Sequence, residues 1–144
     1  MKDVLTAENV KLNITVDSKE DAIRLAGELL VKNGYVKQAY IESMIQREAL
    51  TTTYMGNFIA IPHGTDESKK EVLASGISIL QIPKGVDFGN GNIAKVVFGI
   101  AGKGDGHLEI LSQIALLCAE VENVEKIVAA KSYDEIKRLF EEAV

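Results

Sequence analysis

Cysteine is nearly absent from the chain, with Cys118 standing alone. One thiol excludes an internal disulfide framework and any cluster of cysteine metal ligands. Proline is nearly as scarce, and Pro62 and Pro83 each follow an apolar run. The 16 lysines and arginines form no basic run, and the net charge is −5. That balance disfavours a nucleic-acid footprint and polybasic attachment to a membrane surface. No apolar stretch approaches the roughly 20 residues of a membrane span. The opening Met-Lys-Asp-Val-Leu-Thr-Ala-Glu-Asn lacks the apolar centre of a signal peptide. No segment is of low complexity and none repeats. These absences predict a soluble, cytoplasmic chain with no nucleic-acid partner and no membrane insertion, and 144 residues suit one domain spanning 1–144.

What is present is a globular pattern, 47% hydrophobic and 26% charged. Val10 to Val16 alternates with a period of two, which predicts a half-buried strand or an extended arm. Ser18 and Asp21 resemble a capping box, apolar residues follow at helical spacing, and Asn33-Gly34 is a stop signal, so a helix is expected at about 18–32. A second helix fits about 37–48, with Tyr40, Ile41, Met44, Ile45 and Glu48 along its stripe and Arg47 beside it. Phe58 to Ile61 reads as a short buried strand, 66–73 as a short helix and 77–82 as a strand. Residues 84–92 read as a turn-rich connection. Val96 to Ala101 is apolar on both faces, as in a central strand covered on both sides. A third major helix follows from His107, with an apolar face wide enough to predict deep burial. Two shorter helices are expected at about 122–130 and 133–143, the last capped by Ser132. Strands interleaved with helices indicate a layered α/β sandwich.

The chain has only two histidines. His63 follows a strand and a proline and precedes a glycine, at the kind of strand end where α/β proteins place reactive groups. The alternative is a surface histidine in a turn. His107 falls in the first turn of a helix, after Gly102, Gly104 and Gly106. The positive end of the helix dipole favours an anion there and disfavours imidazolium, so His107 is expected to be neutral, and a neutral ring can still donate one N–H to a phosphate oxygen. The alternative is a histidine that merely covers a helix end. The glycines match neither G-x-G-x-x-G nor a phosphate-binding loop ending in Gly-Lys-Ser/Thr, which argues against ATP or a dinucleotide. A metal site on both histidines would need carboxylates, and no His-Glu-x-x-His spacing is present. Cys118 lies on an apolar stripe and reads as a small core residue, not a nucleophile. Arg47 by itself reads as a solvated cation at a helix end.

The segment from Glu48 to Gly64 separates these alternatives. It reads Glu-Ala-Leu-Thr-Thr-Thr-Tyr-Met-Gly-Asn-Phe-Ile-Ala-Ile-Pro-His-Gly. It resembles the phosphorylation-site signature of the mannitol/fructose class of phosphotransferase-system (PTS) EIIA components. Glu48, Met55, Gly56, Ile59, Ala60, Ile61, Pro62, His63 and Gly64 meet every constrained position of that signature. Arg47 stands just before it, and His107-Leu108 opens a later helix, as the family's active-site arginine and second histidine do. Pro-His-Gly-Thr is closer to the mannitol branch than to the fructose or nitrogen-regulatory branches.

The resemblance implies that His63 carries the phosphoryl group through Nε2. It implies further that Arg47 neutralises phosphoryl charge and that His107 donates a hydrogen bond and positions the group. The implied donor is phosphorylated HPr and the implied acceptor a cysteine of the EIIB domain of a mannitol permease, with no metal, ATP or other cofactor in the step. The implied fold is an α/β sandwich with a mixed sheet. Transfer between proteins also predicts a shallow apolar area with a polar rim around His63. The runner-up readings are a fructose-type or nitrogen-regulatory-type EIIA acting by phosphorylation-dependent protein binding, and a metal-dependent hydrolase using both histidines.

Overall fold

The computed structural model describes residues 4–143. Its centre is a mixed five-stranded sheet of β1 (Val10–Lys11), β2 (Tyr54–Gly56), β3 (Ile59–Ala60), β4 (Gly76–Asp87) and β5 (Ile93–Ala101), in the order β1-β4-β5-β3-β2. β1 runs parallel to β4 and β3 parallel to β5, while β4/β5 and β2/β3 are antiparallel. Helices α1 (Lys19–Lys32) and α2 (Tyr40–Leu50) cover one face. Helices α3 (Gly106–Cys118), α4 (Val121–Ala129) and α5 (Tyr133–Ala143) cover the other. The mixed-sheet sandwich is the architecture expected.

The two-residue period of the strands divides the core between these layers. Leu80, Ile82, Val97 and Ala101 join Ile23, Leu30 and Met44 on the α1/α2 side. Ile77, Ile79, Val96, Phe98 and Ile100 join Ile110, Ile114, Ile127 and Phe140 on the other. β5 lies between β4 and β3 with both faces buried, as its composition predicted.

Local chemistry explains the helix ends. Ser18 Oγ accepts from the Asp21 N–H at 3.1 Å, which fixes the start of α1. At its end Gly34 adopts φ +83°, and the Tyr35 N–H reaches Leu30 O at 2.9 Å while the Gly34 N–H reaches Val31 O at 3.1 Å. This is a Schellman stop, and the left-handed residue is the glycine that tolerates it. The Ser132 hydroxyl accepts from the Glu135 N–H at 3.3 Å and caps α5 as expected.

Four expectations need correction. α2 starts at Tyr40, not near 37, because Lys37 to Ala39 form the turn that delivers the chain from the Val36–Val72 bridge. The alternating segment 10–16 is a strand only at Val10–Lys11; Asn13 takes φ +52° and the Gln81 side chain receives its N–H at 2.8 Å, so the pairing stops. Residues 84–87, expected in a loop, continue β4 past a register shift between Gln81 and Val86. Gly85 at φ +79° lies within that shift, which lets the strand survive its proline and glycine. Finally, α3 buries Ile110, Ile114, Leu117 and Cys118 but leaves Leu108 67% and Leu116 62% exposed. Its apolar face is wider than the sheet can cover.

Candidate active site

The site forms where the parallel strands β3 and β5 end. After β3 the chain runs through Pro62, whose carbonyl accepts from the Ile100 N–H at 2.9 Å, and His63 makes a parallel bridge to Ile100. His63 is thus held against the last turn of the central strand while its side chain stays half-buried. The Nδ1 atom lies 2.7 Å from Ile61 O. A carbonyl can only accept, so Nδ1 carries the proton and Nε2 keeps its lone pair. Burial lowers the His63 pKa below its ordinary 6.5, the bond to Ile61 opposes that, and the nearby Arg47 cation lowers it further. These effects favour the neutral imidazole at pH 7, with its Nε2 lone pair unprotonated.

From the same end of β5, residues 102–105 turn into α3 and place His107 in its first turn. The two imidazoles meet edge to face, with centroids 5.3 Å apart and planes at 65°. Gly102 makes this approach feasible, since a Cβ there would collide with the backbone and Cβ of His107. The His107 pKa is also lowered, first by burial, then by His63 and Lys69. The direction is the one expected from the helix dipole, but its leading cause is desolvation.

Arg47 reaches the same cleft from α2, two turns after Tyr40. It is half-buried rather than freely solvated, and its Nη1 donates to Thr51 O at 2.7 Å. The structure therefore brings His63, His107 and Arg47 around one opening of about 640 Å³. Leu50 and Leu108 stand at its edge, 75% and 67% exposed. Cys118 is buried at 3% exposure and its thiol is pushed up to about 12, as suits a core residue. Among the described residues no group of three or more His, Cys, Asp or Glu is placed to hold a metal ion.

Two supporting residues were not legible as such in the sequence. The Tyr40 hydroxyl donates to Ile100 O at 2.8 Å and accepts from the Gly64 N–H at 2.9 Å. Glu48 is 5% exposed and its Oε1 accepts from the Thr53 N–H at 2.9 Å and hydroxyl at 2.6 Å, turning the chain from α2 into β2; Lys19 Nζ lies 3.5 Å from Oε2. Both residues sat in the predicted apolar stripe of α2. A tyrosine or glutamate in such a stripe demands a buried polar partner, and that was the available signal.

Residues 3–143 match the family described as phosphoenolpyruvate-dependent sugar phosphotransferase system, EIIA 2. The chain belongs to this family. It is 60% identical over 139 residues to the mannitol-specific phosphotransferase enzyme IIA component of Bacillus subtilis, covering 96% of this chain and 97% of the relative. The crystal structure of IIA mannitol from Escherichia coli superposes with a TM-score of 0.88 at 41% identity, covering 94% of this chain and 98% of that one. The complex of the Escherichia coli mannitol IIA with phosphorylated mannitol IIB gives a TM-score of 0.89 at 38% identity, covering 96% of this chain and 97% of that one. As an EIIA component, the chain is a phosphoryl carrier of the sugar phosphotransferase system.

Proposed function

We propose that His63 is the residue that carries the phosphoryl group, that phosphorylated HPr supplies it, and that a cysteine of a mannitol-specific IIB takes it. In this reading the chain is a single EIIA domain working in the cytoplasm; among the described residues no helix is long and apolar enough to cross a membrane. The observation that carries the reading is the Nδ1–H bond to Ile61, which leaves the Nε2 lone pair free beside His107 and Arg47.

The Nε2 lone pair attacks the phosphorus of the donor phosphohistidine. The new N–P bond forms as the donor N–P bond breaks, and the donor imidazole leaves with that electron pair. In the second step a thiolate attacks the same phosphorus and the His63 imidazole leaves. The charge on the moving group is spread over three equatorial oxygens, so positioning and electrostatic stabilisation do most of the work. Arg47 neutralises part of that charge. His107, neutral at pH 7, donates one N–H to an oxygen. The exposed Leu50 and Leu108 give the donor and acceptor proteins an apolar seat beside the histidine.

The mannitol assignment draws on the 60% identity to the Bacillus subtilis protein and on Pro62-His63-Gly64-Thr65. A mannitol permease lacking its IIA domain tests it. Adding this protein with phosphoenolpyruvate, enzyme I and HPr is expected to restore mannitol phosphorylation. Failure, with restoration by a known mannitol IIA in parallel, assigns another sugar or a regulatory partner.

A further inference from the structure

We infer that Tyr40 is a positioning residue for phosphoryl transfer, fixing the Pro62-His63-Gly64 turn and the helix that carries Arg47 as one unit. The inference rests on His63 as the carrier. Tyr40 is 4% exposed, and its hydroxyl is spanned by two hydrogen bonds of ordinary length, to Ile100 O and from the Gly64 N–H. Ile100 is the residue that His63 bridges, and Gly64 is its immediate successor. The hydroxyl thus clamps the carrier turn from one side while the Pro62–Ile100 backbone bond clamps it from the other.

The clamp is also closely fitted. A Cβ on Gly64 would meet the Tyr40 ring at 2.6 Å and collide with Ser68 Oγ, so the turn lies directly on the ring. Ser68 in turn donates to Thr65 O at 2.6 Å and holds the next peptide. Tyr40 and Arg47 are seven residues apart on α2, which puts them on one helical face. The residue that anchors α2 to the carrier turn therefore also sets where the guanidinium stands relative to His63. Burial raises the Tyr40 pKa, which keeps the hydroxyl a donor to Ile100 O at every working pH.

Tyr40→Phe removes the hydroxyl and keeps the ring. The variant is expected to fold and to accept phosphoryl from phospho-HPr roughly 10- to 100-fold more slowly, as small misplacements of reacting groups do. The loss falls on the rate at saturating phospho-HPr, with KM changed less than about threefold, because the docking face is untouched. Nitrogen NMR of His63 is expected to show a smaller share of the Nδ1–H tautomer, which a merely structural role would leave unchanged. A folded Tyr40→Phe protein with wild-type transfer and an unchanged His63 tautomer overturns the inference. If Tyr40→Phe does not fold, exchange of the Gly64 amide in the wild type decides: slow exchange upholds the clamp, and exchange as fast as that of exposed loop amides refutes it. The two claims stay separable. Wild-type protein that takes no phosphoryl group contradicts the carrier assignment, while the tautomer and amide measurements still judge Tyr40.

Discussion

As the proposed carrier, the His63 imidazole faces two opposing demands, since it must be neutral to attack and must later leave from phosphorus. The Ile61 carbonyl orients it and burial keeps it neutral. Titration of both histidines by proton NMR is predicted to give values below 6.5 for each in the folded protein. The unfolded chain then binds more protons just below that pH, so stability rises with pH across the window and is lost as pH falls from 6.5 through the folded values. An imidazole titrating at or above 6.5 contradicts the account. His107→Ala is predicted to slow phosphoryl acceptance on the order of 10²-fold, as loss of one preorganised donor does, while the chemical-denaturation midpoint stays nearly fixed. Equal rates in variant and wild type count against its role. That His63, Arg47 and His107 would share a cleft was legible through the resemblance, since His63 lies in the signature, Arg47 stands just before it and His107 opens a later helix. The contacts of Tyr40, and those of the signature residue Glu48, were not, because they depend on backbone atoms of Ile100, Gly64 and Thr53 that sequence alone does not bring near.

Strand β5 and helix α3 convert chain order into site geometry. One end of β5 receives the His63 turn, and the short connection that follows swings His107 back to meet it. Gly102 is the pivot. Gly102→Ala would drive a methyl group into the His107 backbone. The predicted outcome is a destabilisation of about 1–3 kcal/mol, the usual cost of overpacking, together with transfer slowed beyond what the unfolded fraction explains. Denaturation and transfer measured on one sample check this, and unchanged transfer contradicts the pivot. The same level shows where local pattern fell short. β3 was expected within Phe58 to Ile61, but its hairpin partner β2 went unpredicted because it has only three residues, and the turn between them relies on positive φ at Asn57 and Phe58. Phenylalanine is not a residue that advertises that conformation. β4 outlasted its predicted end because a bulge absorbs Pro83 and Gly85, which by composition mark a loop.

The molecule as a body is a sandwich with a reactive cleft whose rim is greasy on an otherwise acidic protein. Leu108 belongs to the wide apolar face expected of the third helix and Leu50 lies past the expected end of the second, and only the completed layers reveal that both stay largely exposed. Leu108→Glu is predicted to raise KM for phospho-HPr roughly tenfold, about 1.4 kcal/mol of lost contact, with the saturated rate nearly preserved. A rise in KM no greater than that of a distant surface substitution contradicts a docking role. The central claim is simpler and comes first. Wild-type protein and His63→Ala are each incubated with phosphoenolpyruvate, enzyme I and HPr, and intact mass is read before and after mild acid. The account predicts one acid-labile phosphoryl group on the wild type and none on the folded variant. A variant that still gains the group, or a wild type that gains none while a known IIA is labelled beside it, contradicts His63 as the carrier.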